Sequence, residues 1–107
     1  MIDENSIKIL KQAINKYGAK MYEYIAIKEM SELIKALLKY RRAGKNNEYN
    51  LRECENNIIE EIADVKISMV YLELIYEKIC PDFSQRIDKA MKCKIDRTAE
   101  RYLREDD

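Results

Sequence analysis

The chain has two glycines and one proline, Gly18, Gly44 and Pro81, and between them its apolar residues recur at spacings of three and four. A sequence so poor in breakers and so rich in Glu, Lys, Ile and Leu has few ways to fold other than as helices. Ile7, Leu10, Ile14 and Tyr17 mark a first helix over about 3–17, with Gly18 as its stop. A second helix is predicted over about 19–42. Residues 43–50, Ala-Gly-Lys-Asn-Asn-Glu-Tyr-Asn, read as the clearest loop. Asn50 and Glu53 resemble a capping box opening a third helix, about 51–80, which Pro81 ends. The fourth, about 84–104, places Ile87, Met91, Ile95, Thr98 and Tyr102 on one face and Lys89, Lys92, Lys94, Arg97 and Arg101 over much of the rest; the terminal Arg-Glu-Asp-Asp is expected to fray. The expected fold is all-α, a four-helix bundle-like protomer forming one domain over 1–107. At this size oligomerisation would help it, through its long central helices.

Charge and cysteine usage narrow the classes. Twenty acids balance twenty bases, so no basic field draws the chain to nucleic acid or to an anionic membrane. The N-terminus has no apolar signal region, and no apolar run approaches the roughly 20 residues a membrane span needs. Cys54, Cys80 and Cys93 are odd in number and lack CxxC spacing, so free thiols in a reducing cytoplasm are expected. Neither a nucleic-acid partner nor a membrane partner is expected.

Two pairs of carboxylates stand out, Glu29 with Glu32 and Glu61 with Asp64. Residues three apart on a helix share a face, about 60° apart around its axis. On the second helix Ile25, Leu33 and Ala36 cluster with Glu29 and Glu32, Met30, Ile34, Leu37 and Leu38 continue the apolar arc, and Lys28, Lys35 and Lys39 lie opposite. That arc is wider than packing within one bundle requires, which points to a subunit interface. On the third, Asn57, Glu61, Asp64 and Ser68 form a polar column beside Ile58, Val65 and Leu72. Unpaired carboxylates in apolar helices are costly, and a helical hairpin would bring both pairs to one cation. The chain has no histidine. That removes the Glu-x-x-His di-iron site, zinc hydrolase sites, and Ser-His-Asp or Cys-His catalysis. Oxygen-only coordination remains, which suits magnesium, with manganese possible.

The segments Lys28-Glu29-Met30-Ser31-Glu32-Leu33 and Glu60-Glu61-Ile62-Ala63-Asp64-Val65 resemble the ExxE…ExxD signature of the MazG-like, all-α nucleoside triphosphate pyrophosphohydrolases. Lys16-Tyr17-Gly18 and the amphipathic fourth helix are similar too, so the likeness covers roughly 14–103. It implies a homodimer or tetramer that binds magnesium through the four acids. It also implies cleavage of a nucleoside triphosphate to the monophosphate and pyrophosphate. The chain departs from many relatives in carrying Lys28 where they have a further Glu, and Met21-Tyr22 where they have a Gln in the preceding turn. Those departures bear on base selectivity and leave the four acids intact. The 28 residues between Glu32 and Glu61 fit a long helix and a loop around Gly44.

In the chemistry this implies, Glu29, Glu32, Glu61 and Asp64 hold the metal, and Glu32 or Glu61 acts as general base. Lys94 and Arg97, with Lys78 behind them, are candidate phosphate contacts, and Tyr22 or Tyr17 a candidate base-stacking ring. Asn57 and Ser68 would extend the acidic column. The alternative is a non-catalytic helical interaction module whose acids form salt bridges with Lys28, Lys35 or Lys66. Nucleic-acid binding by the fourth helix is disfavoured, since Asp88, Asp96 and Glu100 intersperse its bases and no aromatic platform accompanies them.

Overall fold

The structure, a computed structural model, describes residues 2–46 and 50–106. The described residues form four α-helices and no strand: α1 (Glu4–Tyr17), α2 (Ala19–Asn46), α3 (Leu51–Glu77) and α4 (Phe83–Asp106). The fold is all-α, as the apolar spacing requires. The chain divides into two compact units, Met1–Ile75 and Tyr76–Asp107.

Local chemistry sets the ends of the helices. Asp3 caps α1, its Oδ1 accepting the Ser6 N–H at 2.8 Å, and that hydrogen bond holds its carboxyl below the usual range. Gly18 closes the helix at φ 93°, ψ 147°, where a side chain is not tolerated, and its N–H donates to Ile14 O at 2.8 Å. Asn50 caps α3, with Oδ1 accepting from the N–H groups of Arg52 (2.9 Å) and Glu53 (3.2 Å).

Three boundaries differ from the sequence reading. α2 runs past Gly44 to Asn46, because one glycine near a helix end costs only about 1 kcal/mol. Of the predicted loop, residues 47–49 lie outside the described residues. α3 stops at Glu77, three residues before Cys80, since the chain must leave helical geometry ahead of Pro81. The N–H groups of Ile79 and Cys80 both donate to Tyr76 O there, at 3.0 and 2.9 Å. The third difference is at the C-terminus, where α4 is helical to Asp106 and Asp107 lies outside the described residues.

In the first unit the core gathers Ile14, Tyr22 and Ile75, with Ala13, Ile25, Tyr71 and Leu74 against them. The Tyr22 and Tyr71 rings stack at 4.1 Å between centroids and 18° between planes. On α2 the column Tyr22, Glu29, Ala36, Ala43 advances by sevens and is buried at both ends. On α3 the column Cys54, Glu61, Ser68, Ile75 does the same, and its other three members are buried. Tyr22 meets Tyr71 while Glu29 meets Glu61, so α2 and α3 run antiparallel with these columns facing. The predicted apolar arc of α2 is therefore only partly core. Ile25, Leu33 and Ala36 are half-buried, whereas Met30, Ile34, Leu37 and Leu38 are exposed.

In the second unit Tyr76 stacks on Phe83 at 5.4 Å. The Cys80 thiol donates to Asp82 Oδ1 at 3.0 Å and accepts from the Arg86 guanidinium at 3.7 Å. That thiol holds the Asp82 carboxyl below the usual range. Ile87 is half-buried, and residues 88–103 are exposed throughout. No helix among the described residues is long and apolar enough to cross a membrane, and all three cysteines are free thiols.

Candidate metal centre

The facing columns put a carboxylate where each helix would otherwise offer an apolar side chain. Glu29 on α2 and Glu61 on α3 are half-buried. One helical turn beyond Glu61, Asp64 reaches the same spot from the exposed border of α3. One carboxylate oxygen from each of Glu29, Glu61 and Asp64 lies within 4.8 Å of the other two. Three of the four acids singled out in the sequence thus converge.

Glu32 stands outside this trio. It is half-buried, and its Oε1 accepts an ion pair from Lys35 Nζ at 3.6 Å along the helix surface. Such a pair between largely exposed groups contributes little to stability.

Glu61 is the strained member. Its Oε2 is shut off from solvent and has no hydrogen-bond donor. Burial is the main cause holding its carboxyl above the ordinary range, and the carboxylates of Glu29, Asp64 and Glu32 add to it. A shielded carboxylate facing other carboxylates must either keep a proton or receive a cation. All donors at the site are hard oxygens, with no nitrogen or sulfur among them, and Asp64 keeps one side open to water. That donor set fits magnesium, which takes a few carboxylates and retains several waters.

No protein-family model, curated protein or solved structure matches the chain.

The remaining sequence candidates divide. Tyr22, expected to stack on a base, is only 8% exposed and packs on Tyr71, so it serves the core. Its place seven residues before Glu29 already set it on the buried column. Tyr17 is exposed, with the Lys16 ammonium 5.2 Å from its ring centre. Ser68 is buried in the Glu61 column, while Asn57 is exposed. Lys94 and Arg97 are exposed on α4 in the second unit, and Lys94 O accepts the Thr98 hydroxyl at 3.0 Å. The sequence reading missed Tyr71, whose position ten residues from Glu61 places it at the edge of the seam. Burial pushes the Tyr71 phenol above its ordinary value, with Tyr22 adding to the shift.

Proposed function

We propose that this chain is a magnesium-dependent nucleoside triphosphate pyrophosphohydrolase, releasing pyrophosphate and a nucleoside monophosphate in the upkeep or control of nucleotide pools. One observation carries the reading: Glu61 Oε2 is buried without a donor and shares its place with Glu29 and Asp64. A packing element gains nothing from such an oxygen, whereas a cation site requires one. The resemblance of Glu29-x-x-Glu32 and Glu61-x-x-Asp64 to the MazG-like signature supplies the substrate class.

Glu29, Glu61 and Asp64 would hold the ion. Once bound, magnesium supplies charge neutralisation for the triphosphate and orients the attacking water. Glu32, outside the trio and beside it, is then the acid left to accept a proton from that water.

The rival reading, a non-catalytic helical interaction module, has one observation in its favour, the Lys35–Glu32 ion pair that it anticipates. The decisive experiment is a screen of common ribo- and deoxyribonucleoside triphosphates with magnesium, reading pyrophosphate release. At least one substrate is expected to turn over, and Glu61→Gln to abolish that turnover while the far-ultraviolet spectrum stays helical. Undiminished release by the variant, or none by the parent chain on any triphosphate, overturns the proposal.

A further inference from the structure

Tyr22 is committed to the core, but two residues further along α2 another tyrosine faces out. Tyr24 is 73% exposed and stacks on no other ring among the described residues. With Ile27, Lys28, Ser31 and Glu32 it lines a shallow depression of about 290 Å³ on the surface of the helix. That volume lies near the lower end of the range for small-ligand sites, about 300–1,000 Å³, a size for one end of a nucleotide rather than the whole of it. Tyr24 and Ile27, the latter 62% exposed, supply a ring and an apolar surface, and Lys28 adds an exposed ammonium. The Ser31 hydroxyl is already donated to Ile27 O at 3.1 Å.

Tyr24, Lys28 and Glu32 follow one another at i, i+4 and i+8. Each step rises about 6 Å along the helix and turns about 40° toward the side that carries Glu29. Over about 12 Å the row leads from an exposed ring, past a cation, to the acid beside the proposed metal site. A nucleoside triphosphate presents its parts in the same order: base, the phosphate next to the sugar, then the metal-bound phosphates. Lys28 has no ion-pair partner among the described residues, while Glu32, one turn away, is paired with Lys35 at 3.6 Å. The row therefore holds one cation ready for an anion.

We propose that the depression takes the base of the nucleotide, stacked on Tyr24 against Ile27, and that Lys28 binds the phosphate next to the sugar. The inference rests on the hydrolase reading for its ligand and adds where the far end of that ligand lies. Every base has a π-face, so stacking on a single ring accepts purines and pyrimidines alike. Lys28 stands where many MazG-like relatives have a further Glu, so this phosphate contact belongs to this chain and not to the signature it resembles.

Two measurements on the full chain test the placement: steady-state hydrolysis with magnesium, and calorimetric titration of a non-hydrolysable triphosphate with magnesium. Tyr24→Ala should raise KM, and the Kd of the analogue, by about tenfold on purine and pyrimidine nucleotides alike. A contact made equally in the ground and transition states moves KM and leaves kcat in place. Tyr24→Phe keeps the ring and should return both values to within about twofold of the parent. Lys28→Ala should weaken binding by about tenfold, and Lys28→Glu by more. Magnesium affinity without nucleotide should be the same in Tyr24→Ala as in the parent, which separates a lost base contact from a damaged metal site. Turnover indifferent to Tyr24→Ala, or to both Lys28 variants, overturns the placement and leaves the hydrolase reading standing. If no triphosphate turns over, the titration still decides. Analogue binding that Tyr24→Ala and Lys28→Ala both weaken upholds the placement while hydrolysis falls; binding that either leaves intact, or no binding at all, overturns it.

Discussion

At the scale of single residues, Glu61 has the most consequences. Its carboxyl binds a proton more tightly in the folded chain than in the unfolded one, because burial and three neighbouring carboxylates disfavour its charge. Folding therefore takes up a proton between the ordinary carboxylate value and the raised one. The stabilisation is fully present below that window and is lost as pH rises through the raised value, above which the metal-free protein bears an uncompensated anion. Glu61→Gln removes the charge and keeps the shape. In chelator, the variant is expected to melt above the parent once pH exceeds the raised value, and to lose this contribution to the pH dependence above the ordinary carboxylate range. The contribution of magnesium to its melting temperature should vanish as well. Thermal melts from acid to alkaline pH, with and without magnesium, check all three. A variant that melts below the parent even at alkaline pH and still responds to magnesium contradicts this account of the site.

At the scale of elements, helix ends show what spacing and composition can reveal. Gly18 and Asn50 were legible because each supplies something no neighbour can, a backbone conformation closed to side chains and an oxygen for two free N–H groups. Gly18→Ala meets no steric obstacle from a new Cβ and should cost about 1–3 kcal/mol through the backbone alone. Asn50→Ala should cost about 0.5–2 kcal/mol through the lost cap. Urea titrations should show both as lower midpoints at unchanged slope, and an unchanged midpoint would contradict the assigned roles.

Other features were not legible, for physical reasons. Helix continuation through Gly44 depends on a small propensity cost that neighbouring turns outweigh. The exposure of Ile34 and Leu38 was hidden because α2 is apolar on two sides, and periodicity does not say which side meets α3. The acids were legible as two pairs. That Glu29, Glu61 and Asp64 converge while Glu32 turns to Lys35 depends on the register of the α2–α3 hairpin, which local spacing leaves open.

At the scale of the whole molecule, the amount of buried apolar surface decides how strongly ligands count. The buried hydrophobic residues among those described are Ile14, Tyr22, Ala26, Ala43, Cys54 and Ile75, and two of these are alanines. So slim a core leaves folding near the marginal end of the range for small domains. A ligand that binds only the folded chain then contributes a large share of the total. At a concentration 100 times its dissociation constant it adds about 2.7 kcal/mol, and for a domain of this size each kcal/mol moves the melting temperature by about 4–8 °C. Magnesium with a non-hydrolysable nucleoside triphosphate should therefore raise the melting temperature by about 10 °C or more near saturation, and magnesium alone by less. In the proposed site the cation would relieve repulsion at Glu61, and the triphosphate would in turn relieve the cation's excess charge. Differential scanning fluorimetry in chelator, in magnesium, and in magnesium with the analogue separates the contributions. A helical interaction module would melt at one temperature in all three. Equal melting temperatures would mean that the acids of α2 and α3 meet without a shared ion, and the proposed hydrolysis would lose its physical basis.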